Sequence, residues 1–210
     1  MSTSPSAKEK LLEAALSVIR TKGYAATTVD DLCRAAGVTK GAFFHHFQSK
    51  EELAVAAARY WSEKTSEIFA SAPYHQNSDA RDRVFAYLDF RQSIMNGALA
   101  EISCLVGTMV QETYATNPAI RQACDASISA HAATLAADIS EAMEKHGVAT
   151  DFSAQSLALF TQAALQGAFI LAKAKNSPEI AVECVEHLRR YFEFLFNSTR
   201  KQNPQNRRDH

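Results

Sequence analysis

Residues 38–53 read VTKGAFFHHFQSKEEL. Three phenylalanines and two histidines crowd this short segment, with Lys40 and Lys50 toward its ends. Such a stretch is an aromatic core patch, a metal site or a contact surface, and the fold and function turn on which. Phe43 and Phe47 are four residues apart, so they share one helix face, the face that can pack against Leu32 and Leu53. Thr39-Lys40-Gly41-Ala42 is small and polar with one long cation, whereas Phe44, His45 and His46 lie off the apolar face. Adjacent helical residues project about 100° apart, and His45-His46 lacks the H-E-x-x-H spacing. No metal site is expected there. The histidines read as exposed polar residues or as phosphate contacts.

Upstream, Leu12, Ala15, Leu16 and Ile19 repeat at helical spacing, and Gly23 reads as a stop. Thr28, with Asp31 at the capping-box position, starts a short helix over 29–36 that Gly37 ends. Thr39 caps a third helix to about His46. Ser49-Lys50-Glu51-Glu52 is an S-x-x-E box opening a fourth helix to about Ala70. The second and third helices, joined by the tight turn at Ala36-Gly37-Val38, form a helix-turn-helix unit. Its second helix enters the major groove by its N-terminal residues, which must be slim where DNA approaches and anchored at the back. Free N–H groups at the start of the fourth helix suit an anion beside Lys50.

Beyond a polar linker at 73–78, helices are expected over 79–96, 99–116, 118–146, from Asp151 or Ser153 to 175, and from Asn176-Ser177-Pro178 to 196. Seven Gly and five Pro in 210 residues fit long helices, and no hairpin alternation appears. The predicted fold is all-α: a helix-turn-helix domain over 1–54, a helical domain over 55–199, and a disordered basic tail over 200–210.

Charge follows the same division. Residues 1–62 carry eight Lys/Arg against six Asp/Glu, residues 63–199 ten against sixteen, and the tail four against one. A mildly basic head on an acidic body suits a small nucleic-acid-binding module attached to something else. Cys33, Cys104, Cys124 and Cys184 are far apart with no C-x-x-C pair, which argues against a zinc site or a secreted disulfide framework. No membrane-length apolar run or signal-peptide core is read, so a cytoplasmic protein without membrane contact is expected.

The residues Gly23-Tyr24, Thr27-Thr28-Val29, Leu32-Cys33, Ala36-Gly37-Val38-Thr39-Lys40-Gly41, Phe43-Phe44, His46-Phe47 and Ser49-Lys50-Glu51-Glu52-Leu53 together resemble the N-terminal pattern of the tetracycline-repressor (TetR) type of bacterial transcriptional regulators. The resemblance covers roughly residues 9–55 and extends weakly to a Cys-Leu-x-Gly…Glu stretch at Cys104–Glu112. It implies a homodimeric regulator, most often a repressor, bound to a palindromic double-stranded DNA operator and released by an unknown small-molecule inducer in the C-terminal domain. Lys40, Gly41 and Ala42 would then face bases, while Thr28, Thr39, His45, His46 and Lys50 hold phosphates. Phe44 stands where the family usually has Tyr, which leaves van der Waals contact with the backbone. No cofactor and no catalytic role are implied.

In the helical domain, Met95, Cys104, Met109, His131, Phe160 and Phe169 are candidate ligand-binding residues, although side chains of this kind on apolar helix faces are more often core. Cys104, without Lys, Arg or His nearby in sequence, is an inert thiol or the site of a redox- or electrophile-sensing regulator. Ala158, Gln162, Leu165 and Phe169 form one stripe, and Val185, Leu188, Phe192 and Leu195 another. They are candidates for the dimer interface, the alternative being burial within the monomer. An α-helical enzyme is the rival of another class, but no nucleophile motif, phosphate loop or carboxylate pair stands out.

Overall fold

The computed structural model describes residues 5–148 and 150–198. Among the described residues the fold is all-α, in two compact units. One holds the described residues up to Phe69 together with Ala98–Ser129; the other holds Ala70–Gly97 and the described residues from Ala130 onward. Packing therefore divides the chain elsewhere than the 54/55 boundary that the motif suggests. The segment predicted as a disordered tail lies outside the described residues.

The first unit opens with α1 (Ala7–Lys22), α2 (Val29–Ala36), α3 (Lys40–His46) and α4 (Lys50–Ala70). Ser6 and Glu9 close a capping box on α1. On α2 the Thr28–Asp31 box also closes: Asp31 N–H donates to Thr28 Oγ1 at 3.1 Å, and Thr28 N–H donates to Asp31 Oδ2 at 2.9 Å. Gly37, at φ +65°, supplies the left-handed turn between α2 and α3, where a Cβ would be strained. Thr39 caps α3 through Ala42 N–H at 3.1 Å. At α4 the S-x-x-E signature closes in modified form. Ser49 Oγ accepts Glu52 N–H at 3.1 Å, but the Glu52 carboxylate accepts the N–H of Gln48, one residue early, at 2.6 Å.

Leu11, Ala15, Ile19, Leu32, Phe43, Phe47, Leu53 and Ala57 fill the core between these helices. Full burial of a side chain of the size of Phe43 stabilises by roughly 2–3 kcal/mol. Leu105, Met109, Ile120 and Cys124 complete the same core, which explains why a C-terminal stretch belongs to this unit.

Later in the chain, the helix expected over 99–116 breaks in two: α6 (Leu99–Ile102) and α7 (Leu105–Thr113). Ser103 and Cys104 are extended at the break. The Ser103 hydroxyl donates to the Leu99 carbonyl, and Cys104 Sγ caps α7 by accepting Gly107 N–H at 3.4 Å. No Gly or Pro marks the break, so the sequence reads through it.

The second unit contains the turn Pro73–Gln76, α5 (Ala80–Ser93), most of α8 (Pro118–Lys145), α9 (Ala154–Lys175) and α10 (Glu179–Ser198). Ser153, not Asp151, caps α9, and Asn176 at φ +50° ends it. The second unit has its own ion pairs, with Arg83 bonded to Asp138 and Glu141, and Asp79 to His146 and Lys145. By length and composition α9 is apolar enough to cross a membrane, which corrects the reading that no such run exists. Core helices of soluble proteins meet the same test, and one face of α9 is buried against the rest of its unit.

Candidate nucleic-acid interface

The quoted stretch divides by face much as its spacing requires. Phe43 is fully buried and Phe47 nearly so, with ring centroids 6.0 Å apart, and they anchor α3 on the core. Lys40 and Gly41 are exposed at the start of α3, with Ala42 half-buried behind them. Phe44 is 56% exposed and stands edge-on to Phe43 at 5.1 Å, an apolar ring held outward. The rings of His45 and His46 stand edge to face, with centroids 4.8 Å apart. Among the described residues no cluster of three or more His, Cys, Asp or Glu could hold a metal ion.

Two cations depart from the simplest expectation. Lys40 Nζ pairs with Asp30 Oδ1 at 2.7 Å, with both side chains more than half exposed. The hydrogen bond that Lys40 donates to Asp30 raises the lysine pKa, so its charge is secure and its reach is biased toward α2. Lys50, expected on a phosphate, instead directs Nζ to the Tyr24 carbonyl at 3.0 Å and the Thr27 carbonyl at 2.9 Å. It also lies 4.2 Å from the Tyr24 ring centroid, and burial pulls its pKa down against the opposing effect of Glu112. The sidedness of Lys50 is invisible in a motif, because a helix N-terminus favours a nearby anion whatever the side chain does.

Thr28 and Thr39 are exposed but use their hydroxyls as helix caps. Asp30 and Glu112 are the participants that sequence reasoning did not select. Glu112 accepts the N–H groups of Tyr24 and Ala25 from α7, and its place at the end of the Cys104–Glu112 stretch was the available signal.

The ligand candidates do not gather in one place. Met109 lies in the core of the first unit and Cys104 packs against it, within electrostatic reach of Arg20. Burial pushes the neighbouring Cys124 thiol up to about 12. Met95, His131 and Phe169 belong to the second unit. There Tyr87 Oη and His131 Nε2 are 3.0 Å apart, and the Arg91 guanidinium lies 6.0 Å from the Phe169 ring centroid. Burial first, and the Arg91 charge second, lower the His131 pKa to about 4, so its imidazole is neutral. Gln162 is 7% exposed, and its Nε2 makes no hydrogen bond of ordinary geometry. Phe160 is instead half-exposed on the outer side of α9, in ring contact with Tyr191.

The proposed dimer stripes require correction. Ala158, Gln162, Leu165, Val185, Leu188 and Phe192 are all buried within the protomer. The apolar residues left outside are Leu159, Phe160, Ile170 and Leu171 on α9, with Tyr191 and Phe194 on α10. Helical period selects a face, but α9 is apolar on two faces, and the inner one packs against its own unit.

Residues 11–57 match the model of bacterial regulatory proteins of the tetR family, and residues 80–187 match the C-terminal domain of LmrA/YxaF-like transcriptional regulators. The regulator CymR of Pseudomonas putida is 47% identical over 58 residues, 28% of this chain and 29% of its own length. Several curated relatives are likewise matched over less than a third of their length. AcuR of Cereibacter sphaeroides is 27% identical over 180 residues, 82% of this chain and 79% of its own. The crystal structure of a TetR transcriptional regulator from Chloroflexus aurantiacus superposes with a TM-score of 0.75 at 27% identity, covering 89% of this chain and 94% of that one. With both parts matched in order and the fold shared, this chain belongs to the TetR family of bacterial helix-turn-helix transcriptional regulators.

Proposed function

We propose that this regulator is a cytoplasmic homodimeric repressor that reads a palindromic operator through α3 and is released by a small effector held in its second unit. The observation that carries the reading is the outward edge of α3. Lys40 and Gly41 are exposed where the helix begins, and Phe43 and Phe47 fix the helix from behind. Only Lys40 has the reach for a guanine edge; Gly41 permits close approach and Ala42 suits a thymine methyl. Thr28, Thr39, Phe44, His45 and His46 flank this edge as backbone contacts, which set register and salt dependence.

Lys50 supports the grip chiefly by tying α4 to the turn before α2. Lys40→Ala is expected to weaken binding about tenfold and relax preference at one position of each half-site, whereas Lys50→Ala weakens binding alike on all sequences. Selection of bound duplexes from a randomised pool checks both. Unchanged preferences for Lys40→Ala would remove α3 as the reading element.

The effector site is assigned to Tyr87, Arg91, His131, Gln162 and Phe169. This group offers a cation, an amide donor and a neutral hydroxyl–imidazole pair beside an aromatic wall, which fits a small acid with an apolar body. Dimerisation is assigned to the outward apolar face of α9 and α10, in place of the buried stripes.

A further inference from the structure

The turn between α1 and α2 is held from two sides. Glu112, the penultimate residue of α7, accepts Tyr24 N–H on Oε1 at 3.2 Å and Ala25 N–H on Oε2 at 2.6 Å. Lys50, the first residue of α4, donates to the carbonyls of Tyr24 and Thr27 and covers the Tyr24 ring. Thr27, almost wholly buried, closes the turn by donating its hydroxyl to the Gly23 carbonyl at 2.6 Å. Its neighbour Thr28 is the cap of α2.

Gly23 makes the approach possible. Its φ is +87°, and a Cβ built there would stand 2.4 Å from Glu112 Oε1. The carboxylate therefore occupies the space that any side chain at 23 would need. Within its own helix Glu112 is badly placed, because a negative charge near a helix C-terminus opposes the dipole. The contact with the turn, not helix stability, accounts for an acid at this position. Two N–H groups that no helix bond uses gain a charged acceptor, the stronger kind of hydrogen bond.

We propose that Glu112 is a positioning residue for DNA binding. From outside the helix-turn-helix motif, its carboxylate holds the α1–α2 turn, and through it Lys50 and the start of α2, in the placement that docking requires. The proposal rests on the DNA-binding reading above. It differs from a merely structural role in what it predicts for affinity at constant stability.

The test compares wild type with Glu112→Ala and Glu112→Gln. The probe is a palindromic duplex that the wild-type protein selects from a randomised pool, read by fluorescence anisotropy. Thermal melting and amide hydrogen exchange of the same full-length proteins accompany it. Glu112→Ala is expected to weaken binding about tenfold with Tm within a few degrees of wild type, and to accelerate exchange at Tyr24 and Ala25. Glu112→Gln, which keeps one carbonyl acceptor, should fall between and guards against loss of fold in the alanine variant. Faster exchange at 24–25 with wild-type affinity overturns the proposal. So does an affinity loss that only tracks a fall in Tm. A wild-type protein that selects no duplex contradicts the DNA-binding reading instead, and the two failures are thereby separate.

Discussion

At the scale of single residues, the side chains that matter are those whose partners decide where they point. Lys40 and Lys50 are both lysines at helix starts, yet one is exposed beside Asp30 and the other is bound to backbone carbonyls. The sequence discloses the cation and its helix, but not a partner 10 or 26 residues away. His131 illustrates the same point in the second unit. Its pKa is lowered to about 4 by burial, with Arg91 adding to the effect, against an ordinary value of 6.5. The unfolded chain therefore binds the proton more readily between those values, and folding stability falls as pH drops from 6.5 toward 4. The full loss is up to about 3 kcal/mol, present as stability above pH 6.5. Urea unfolding of wild type and His131→Gln between pH 7.5 and 4.5 checks this. The variant should show a flatter profile, and parallel profiles would contradict a buried neutral His131.

At the scale of elements, capping chemistry made α2, α3 and α4 legible, whereas α1 was legible from apolar spacing and Gly23 and its Ser6–Glu9 box was not foreseen. Thr28, Thr39 and Ser49 cap the helices they were expected to cap, and Gly37 takes the left-handed turn. These signals are local, so one sequence suffices. The break at Ser103-Cys104 was not legible, because side-chain bonds to nearby backbone end one helix and start the next without a Gly or Pro. The α9 and α10 faces were misassigned for a different reason. Two apolar faces on one helix have equal periodicity, and only tertiary packing tells inner from outer. The effector assignment belongs at this scale, since its groups come from α5, α8 and α9. Benzoate is expected to raise Tm and benzamide, its uncharged counterpart, to leave it unchanged; Arg91→Met should abolish the benzoate shift. Equal shifts from acid and amide, or none from the acid, would contradict an acid-binding site.

At the scale of the whole molecule, the division into a DNA-reading head and a helical remainder was visible in charge and motif. What composition did not reveal is that Ala98–Ser129 packs with the head. Leu105, Met109, Ile120 and Cys124 lie in the same core as Phe43 and Leu53, contacts across more than fifty residues of chain that no local pattern encodes. The function follows if two heads are presented together, and two copies related by a twofold read half-sites about one helical turn apart or a multiple of it. The measurement that tests this most directly is a hydroxyl-radical footprint on the selected duplex, with wild type and with Phe194→Asp, a change on the exposed face of α10. Two symmetric protected half-sites are expected for the wild type, reduced to weak single-site protection by Phe194→Asp. A wild-type footprint confined to one asymmetric site, or symmetric protection unaltered by the charge on α10, would contradict that reading.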